Sequence, residues 1–331
     1  MKETLNKLIN HEILPKEEAK QILVNIANGE YNTSQIAAFL TVYMMRSVTI
    51  EELEGFRDAL LELCLAVDLA EYDPIDLCGT GGDGKDTFNI STLASFVTAG
   101  AGIHVTKHGN YGVSSKCGSS NVMEFLGIKF SNDADFLKKT IEEAGICVLH
   151  APLFHPAMKN VAPIRRELAV KTFFNMLGPM VNPAFPKNQM VGVFNLELAR
   201  MYGYLYQNTD KKFTILNALD GYDEISLTGD TKTISNHTEA MLTPADFGVE
   251  KVSQQEITGG EDVAESAQIF MNILQGKGTN AQNNVVCANA GVAIATVKGI
   301  TPKEGFEMAK ESLLNGKGLA ALKKLQELSK N

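Results

Sequence analysis

The chain has 331 residues, 44% of them apolar and 21% charged, and 30 basic against 39 acidic residues give a net charge of −9. This length predicts about two domains, and the composition is that of globular rather than disordered proteins. An acidic chain has no long-range attraction to nucleic acid or to anionic membranes, which excludes both as general partners. A local basic pocket for a small anion remains compatible with this charge.

The cysteines and the apolar segments restrict the cellular setting. The five cysteines are widely spaced and form no C-x-x-C pair, which favours reduced thiols over a disulfide framework or a zinc site. The N-terminus carries no apolar segment typical of a signal peptide. The longest apolar stretch, Val285–Val297, is too short for a membrane span and contains Asn289. We therefore expect a soluble, cytoplasmic protein.

The first part of the chain has helical patterns only. Apolar residues recur at helical spacing from Ala19 to Ile26. Thr33 or Ser34 can cap a second helix, and Thr49 has the spacing of a capping box with the glutamate three residues later. These patterns predict a small all-helical domain over residues 1–72.

From residue 73 the pattern changes to an alternation of short apolar strands and helices. Predicted strands cover residues 75–78, 104–107, 146–149, 190–194, 213–218 and 231–235. Predicted helices lie between them, at residues 92–101, 133–144 and 196–206, and helices fill most of 263–328. This alternation predicts an α/β domain over residues 73–331, with a mostly parallel central sheet flanked by helices.

The glycine-rich segment 79–92 follows the first predicted strand directly. Its glycines let backbone N–H groups approach a phosphate, and the helix that begins at its end points its positive end at the same anion. Three of the glycines match the dinucleotide pattern G-x-G-x-x-G, but the next strand ends in Lys107 instead of an acidic residue. A P-loop is also disfavoured, because Asp86 replaces its magnesium-binding Ser or Thr.

A second loop of similar chemistry, residues 107–120, follows the next predicted strand. It is rich in glycine and serine and adds Lys107, His108 and Lys116. Because the carboxyl ends of parallel strands meet at one edge of a sheet, both loops should face the same crevice. Together they predict a site for a polyphosphate or a phosphorylated sugar.

Two adjacent carboxylates, Asp223 and Glu224, come shortly after the predicted strand 213–218. Magnesium in proteins is typically held by a few carboxylates together with phosphate oxygens and water. This pair therefore predicts a Mg²⁺ site for an ion that arrives with the phosphates.

These motifs, in this order and spacing, resemble those of the anthranilate phosphoribosyltransferases. The resemblance runs nearly end to end and is carried by residues 79–83, 89–92, 107–110, 162–165, 174–183 and 221–224. It implies a nucleoside phosphorylase-like fold, whose helical domain gains helices from about residues 165–190. It also implies a homodimer formed through that domain and an association with anthranilate synthase.

The activity that the resemblance implies is a glycosyl transfer without a side-chain nucleophile. The phosphoribosyl group of phosphoribosyl pyrophosphate (PRPP) moves to the amine of anthranilate and pyrophosphate leaves. This is the second step of tryptophan biosynthesis from chorismate. The resemblance implies Mg²⁺ as cofactor, with two ions per subunit bound together with PRPP.

The resemblance also implies three overlapping sets of binding residues. PRPP is bound by Gly79, Gly82, Asp83, Thr87, Asn89, Ile90, Ser91, Thr92, Lys107, His108, Gly109, Asn110, Tyr111, Gly112, Val113, Ser114, Ser115 and Ser119. Anthranilate is bound by Gly79, His108, Asn110 and Arg165, and magnesium by Ser91, Asp223 and Glu224.

The chain departs from the family pattern beside the second loop. Tyr111 stands where Arg is more common, Cys117 where Ser is usual, and Ser120 with Asn121 where Ala and Asp are usual. These departures leave the details of anion contact open and do not change the implied reaction.

Two other functions remain as alternatives. One is an enzyme similar to pyrimidine nucleoside phosphorylase, which would bind inorganic phosphate and a nucleoside. The other is a non-catalytic, nucleic-acid-binding relative of the same fold. The net charge of −9 and the presence of Asp223, Glu224 and Arg165 count against the second.

Overall fold

The structure is a computed structural model that describes residues 1–112 and 117–330. Its helices are, in chain order, α1 Lys2–Ile9, α2 Lys16–Ala27, α3 Thr33–Met45, α4 Ile50–Glu62, α5 Ile90–Gly100, α6 Ser119–Phe125, α7 Ala134–Ala144, α8 Ala151–Phe154, α9 Ala162–Leu168, α10 Phe174–Leu177, α11 Leu196–Tyr206, α12 Val263–Leu274, α13 Asn280–Lys298, α14 Pro302–Leu314 and α15 Lys317–Leu328. Its strands are β1 Ile75–Gly79, β2 Val105–Gly109, β3 Ile146–His150, β4 Asn188–Gly192, β5 Lys212–Ala218, β6 Thr231–Ser235 and β7 Glu239–Leu242.

The described chain divides into two compact units. The first, all helical, comprises Met1–Val67 and Ala151–Phe185, and the second comprises the remaining described residues. The added segment of the first unit begins earlier than the expected 165–190, because the turn Pro156–Asn160 already packs against α2.

Short polar side chains cap the N-termini of helices α3 and α4 in the first unit, because their oxygens accept backbone N–H groups of the first turn. Asn32 caps α3: its Oδ1 accepts the N–H of Gln35 at 2.9 Å, and the Gln35 side chain accepts the N–H of Asn32. The expectation of a cap at Thr33 or Ser34 was therefore wrong by one residue, because Asn32 offers its side-chain oxygen in extended backbone just before the helix.

The core of the first unit joins its two chain segments. The rings of Phe56 and Phe173 stack at 4.4 Å between centroids, and Phe39 packs edge-on against both. Glu52 completes the predicted capping box with Thr49 and, fully buried, also accepts the N–H of Leu14. The aromatic packing explains why residues after 150 return to the helical unit.

The second unit is built on one seven-stranded sheet with the order β3-β2-β1-β4-β5-β6-β7. Neighbours from β3 to β5 are parallel, and β6 and β7 pair antiparallel at one edge. The predicted fold class, a helical domain plus an α/β domain with a mostly parallel sheet, is confirmed. The strand β7 was not predicted, because its residues are mostly exposed and lack an apolar pattern.

Helices cover both faces of this sheet. Ile75 and Leu77 of β1 belong to the apolar core that includes α5 and α13. On the opposite face, α11 packs against β5, and the Tyr206 hydroxyl donates to Gln189 of β4 at 2.8 Å. Among the described residues, no single helix is long and apolar enough to span a membrane; α13 and α14 pass that test only as a pair, bent by 118°.

A buried histidine is expected to make the first unit sensitive to acid. Burial lowers the pKa of His155 to about 4, against the smaller opposing effect of a hydrogen bond with the backbone of Val181. The folded state therefore binds this proton less readily than the unfolded state, whose histidine titrates near 6.5. Stability is full above about pH 6.5 and falls as the pH drops toward 4, by about 3 kcal/mol in all. Urea unfolding between pH 4 and 6.5 should show this loss of unfolding free energy in the wild type and not in His155→Gln. An equal dependence of the unfolding free energy on pH in both proteins would contradict the role of His155.

Candidate active site

The carboxyl ends of β1 and β4 form the point where the strand order of the sheet reverses. After β1 the chain continues to β2 on one side, and β4 later joins on the other. Crevices at such a position are where open α/β sheets bind ligands. Gly79 and Gly192 are paired there as the last residues of the two strands.

Asp223 lies directly against this pair of glycines. A Cβ on Gly79 would lie 2.3 Å from Asp223 Oδ2, and a Cβ on Gly192 would lie 1.5 Å from the Asp223 carbonyl oxygen. No real side chain tolerates such distances. Both strands must end in glycine for Asp223 to reach this position.

The two adjacent carboxylates are held by backbone N–H groups of the glycine-rich segment and of α5. Gly81 N–H donates to Asp223 Oδ2 at 2.7 Å, and Ser91 N–H donates to Glu224 Oε1 at 2.9 Å. Ser91 belongs to the first turn of α5, where the helix dipole favours negative charge. The structure thus brings together residues that are more than 130 positions apart in the chain.

The glycine-rich segment is open to solvent on the side where a ligand could lie. Gly81 and Gly82 have φ of 65° and 77°, which only glycine adopts without strain. A Cβ on Gly81 would meet no atom within 4 Å. The far end of the segment is fixed, since Thr87 pairs with Thr258 and Asn89 Nδ2 donates to the carbonyl of Cys117 at 3.0 Å.

Acidic side chains crowd this site, and burial raises their pKa values. Burial, followed by the charge of Asp83, raises the pKa of Asp223 to about 7. Burial also raises the pKa of Asp83, which shares a side-chain hydrogen bond with Asp223. Burial and then the charge of Asp223 raise the pKa of Glu224 well above its usual value, opposed by Ser91 N–H and by Lys107. The group is therefore suited to a cation that would neutralise the crowded carboxylates.

The next strand carries two of the predicted site residues. Lys107 and His108 pair with Val148 and Leu149 of β3, so they belong to β2 and the loop begins after Gly109. The predicted strand end at Lys107 was two residues too early, because pairing with β3 extends the strand. The Lys107 ammonium is buried and donates to the carbonyl of Leu77 at 2.7 Å.

Residues on either side of the second loop are connected to each other. Ser119 Oγ lies 3.3 Å from the Asn110 carbonyl oxygen, to which it donates. Asn121 Oδ1 accepts the N–H groups of Gly112 and Gly118, both at 3.0 Å. The unusual Asn121 therefore joins the two ends of the loop. Val113, Ser114 and Ser115, predicted to bind PRPP, and Lys116 lie outside the described residues.

Tyr111, the first residue of this loop that departs from the family pattern, contacts His150 and Glu124. Its ring packs edge-on against His150 at 4.8 Å, and its hydroxyl lies 3.3 Å from Glu124 Oε2, to which it donates. An arginine here would place a cation near Glu124; the tyrosine gives a neutral contact instead.

Arg165 lies in the first unit, on α9. Its Nη2 donates to Asn175 Oδ1 at 3.2 Å, and its guanidinium lies 5.3 Å from the ring centre of Phe174. Burial lowers its pKa. Arg166, the next residue, is exposed.

Sequence reasoning missed Gly192 and the loop contact of Asn121. A glycine at the end of a strand is a signal for close approach of another backbone, but which backbone approaches depends on the pairing of β4 with β1. Within the part of the chain that the structure describes, no three carboxylate, imidazole or thiol groups converge to enclose a metal ion.

Comparison with known proteins now defines the family. Residues 71–319 match the profile described as "Glycosyl transferase family, a/b domain", and residues 2–64 match that of its "helical bundle domain". An anthranilate phosphoribosyltransferase of Flavobacterium psychrophilum is 76% identical over 329 residues, which cover 99% of this chain and 100% of the relative. The chain belongs to the anthranilate phosphoribosyltransferase family.

Solved structures of the family agree with this fold. The crystal structure of the Thermus thermophilus enzyme has a TM-score of 0.92 and 30% identity, with 99% of each chain covered. The Saccharomyces cerevisiae enzyme in complex with PRPP and Mg has a TM-score of 0.90 and 27% identity, with 98% of this chain and 96% of that chain covered. The predicted family, and with it the class of glycosyltransferase, is confirmed.

Proposed function

We propose that the site at β1 and β4 transfers the phosphoribosyl group of PRPP to the amine of anthranilate. The products are N-(5-phosphoribosyl)anthranilate and pyrophosphate, the second step of tryptophan biosynthesis. The observation that carries this proposal is the meeting of Asp223 and Glu224 with the glycine-rich segment and the start of α5. Few reactions need a carboxylate pair, open glycines and a helix N-terminus in one place; transfer from a sugar diphosphate is one of them.

The diphosphate of PRPP is bound in this proposal by backbone amides and by the polar residues of both loops. The open space beside Gly81 and the positive φ of Gly82 support it, because a ligand can approach the backbone there. The first segment contributes Gly79, Gly82, Asp83, Thr87, Asn89, Ile90, Ser91 and Thr92. The second contributes Lys107, His108, Gly109, Asn110, Tyr111, Gly112 and Ser119.

Magnesium fits the donor set of the site. Asp223 and Glu224 supply carboxylate oxygens and Ser91 a hydroxyl oxygen, which are the hard ligands this ion prefers. The crowding of the acidic side chains, in which burial and then the charge of Asp83 raise the pKa of Asp223, favours a cation beside them. We propose two ions per subunit, bound with PRPP. When bound, Mg²⁺ neutralises charge on the departing pyrophosphate.

The reaction needs positioning more than proton transfer. The amine nitrogen of anthranilate forms a bond to C1 of the ribose while the bond from C1 to pyrophosphate breaks, and the amine proton leaves to solvent. An aromatic amine is already a free base at neutral pH. Alignment of the reacting groups can lower such a barrier by about 7–11 kcal/mol. No side chain of this chain need act as nucleophile.

Anthranilate is contacted in this proposal by Gly79, His108, Asn110 and Arg165. A guanidinium can bind the anthranilate carboxylate through two parallel hydrogen bonds. The contacts of Arg165 with Asn175 and Phe174 support this role, because they restrict its side chain before any ligand binds.

The two neighbouring arginines should differ in their effect on substrate binding. Arg165→Ala is expected to raise the KM for anthranilate by about 10- to 100-fold, since a charge-assisted pair is lost, and to leave the KM for PRPP unchanged. Arg166→Ala is the matched control, because its side chain is exposed on the same helix. Steady-state kinetics with each substrate varied provide the measurement. Equal behaviour of the two variants would contradict the assignment.

A homodimer formed through the first unit is also part of the proposal. Exposed apolar side chains at the ends of α1 and α3 support it: Ile9 and Met45 are 61% and 81% exposed. Burial of such side chains against a second copy would remove apolar surface from water. The association with anthranilate synthase stays a prediction, which co-elution of the two enzymes would test.

Charge introduced at these apolar positions should separate the dimer. The double variant Ile9→Glu, Met45→Glu is expected to elute as a monomer in size-exclusion chromatography with light scattering. Leu314→Glu, at an exposed leucine of the second unit, should leave the mass unchanged. A monomeric wild type, or an unaffected double variant, would overturn this part of the proposal.

The activity itself is tested by anthranilate fluorescence. The signal should fall only when enzyme, PRPP and Mg²⁺ are all present, with one pyrophosphate released per anthranilate consumed. A chelator should stop the reaction. Cleavage of a pyrimidine nucleoside by inorganic phosphate, with no consumption of anthranilate, would instead support the phosphorylase alternative. Binding of random DNA without either activity would support the non-catalytic one.

A further inference from the structure

The segment that carries the two carboxylates has a third anchor, on helix α13. Ile225 follows Glu224 directly, and its N–H donates to Asn289 Oδ1 at 3.0 Å. The Nδ2 group of Asn289 donates in return to the Ile225 carbonyl at 2.9 Å. One side chain therefore satisfies both backbone groups of Ile225, as a neighbouring strand would.

The anchor is itself held in one orientation. The second N–H of the Asn289 amide donates to the carbonyl of Val285, one turn earlier on α13, at 2.8 Å. Asn289 is 1% exposed and lies among buried apolar residues of the helix, including Ala288 and Ala290. A flipped amide would face the Ile225 N–H with its own N–H groups. Three hydrogen bonds thus fix where the amide oxygen lies.

The carboxylate segment needs such an anchor because it is neither helix nor strand. Asp223 and Glu224 are held at their side chains by Gly81 and Ser91. Burial and then a neighbouring carboxylate raise the pKa of each, Asp83 acting on Asp223 and Asp223 on Glu224. Repulsion favours displacement of the backbone away from the site. A neutral amide resists this displacement without adding charge where an anionic substrate binds.

We propose that Asn289 is a positioning residue of the magnesium and diphosphate site. It holds the backbone of Ile225, so that Asp223 and Glu224 face the glycine-rich segment and receive Mg²⁺ together with PRPP. This inference rests on the proposed function. It assigns to α13, a core helix, an indirect part in substrate binding that acts through the backbone of Ile225.

The test compares two variants of the same helix. Asn289→Ala removes all three hydrogen bonds of the side chain. Thr296→Val is the matched control: it removes the hydrogen bonds of Thr296 Oγ1 with Thr214 Oγ1, at 2.7 Å, and with the Val292 carbonyl, at 2.8 Å, and leaves Ile225 untouched. Calorimetry with PRPP and Mg²⁺ measures binding without turnover, and hydrogen exchange of the peptide 219–228 reports on the Ile225 N–H.

Asn289→Ala is expected to weaken binding of Mg²⁺ with PRPP by about 10- to 100-fold, the usual effect of losing a partner that orients metal ligands. The peptide 219–228 should exchange faster, and the KM for anthranilate should change by less than about 2-fold at saturating PRPP. Thr296→Val should change none of these. The isosteric Asn289→Asp retains the acceptor for Ile225 N–H and should bind with intermediate strength.

Wild-type binding of Mg²⁺ with PRPP by folded Asn289→Ala and Asn289→Asp would overturn the proposal. It is also overturned if both variants fail to fold, since the role of Asn289 would then be purely structural. If the wild type binds PRPP with Mg²⁺ but does not consume anthranilate, the proposed function fails while the calorimetric comparison still decides the role of Asn289.

Discussion

The double variant Asp223→Asn, Glu224→Gln should lose about 1,000-fold or more in kcat. Both carboxylates meet the glycine-rich segment, and in the proposed function their charges are the counterpart of the magnesium that accompanies PRPP. The amides keep oxygen acceptors for the N–H groups of Gly81 and Ser91. They also remove two buried carboxylates, of which Asp223 has a pKa raised to about 7 by burial and then by the charge of Asp83. The variant should therefore stay folded and be no less stable than the wild type.

A magnesium titration of the initial rate, at saturating PRPP and anthranilate, measures this effect. Asp230→Asn is the control, because Asp230 is an exposed acid a few residues further along the same segment. It should behave as the wild type does. A double variant with a wild-type rate and magnesium dependence would remove Asp223 and Glu224 from the metal site.

The second large effect is expected from one methyl group at the end of β4. In Gly192→Ala the new Cβ would lie 1.5 Å from the carbonyl oxygen of Asp223, so the backbone of Asp223 must move away. Because the geometry of metal ligands depends on this backbone, kcat should fall by about 100-fold. The sheet should stay folded, because the pairing of β4 with β1 and β5 runs through backbone groups along the whole strand and the substitution adds only a side-chain atom.

Gly203→Ala is the control for Gly192→Ala, because Gly203 lies on α11 and contacts no described residue of the proposed site. Its Cβ on α11 would lie 3.6 Å from Ile234, an ordinary contact, and alanine in a helix stabilises by about 1 kcal/mol relative to glycine. The rate should be that of the wild type and the melting temperature equal or higher. Comparable rates for Gly192→Ala and Gly203→Ala would show that Asp223 does not depend on the close approach to β4.

The parts of the site that the sequence predicted are local in the chain. The strand, the glycine-rich segment and the start of α5 follow one another within residues 75–100, so spacing alone places them together. The sequence pointed to Asp223 and Glu224 because two adjacent carboxylates after an apolar strand are typical ligands of Mg²⁺. The predicted strands were recovered within two residues or less for β1, β2 and β3, since apolar patterns define a strand better than its ends.

What the sequence did not predict depends on contacts between distant segments. Gly192 matters because β4 lies beside β1 with Gly192 opposite Gly79, a register set by the whole sheet. Asn289 interrupts an apolar stretch, and only the packing of α13 brings it to Ile225. Asn121 departs from the family pattern. Its hydrogen bonds with the N–H groups of Gly112 and Gly118 depend on the three-dimensional positions of the loop ends, which the sequence does not give.

One diffraction experiment tests the proposed position of the substrate most directly. Crystals grown with PRPP and Mn²⁺ in place of Mg²⁺ allow the metal to be located by its anomalous scattering. We expect anomalous peaks about 2.1 Å from carboxylate oxygens of Asp223 and Glu224, with the diphosphate beside Gly81 and Gly82. Metal peaks and diphosphate density at any other place, with these carboxylates free of metal, would contradict the account.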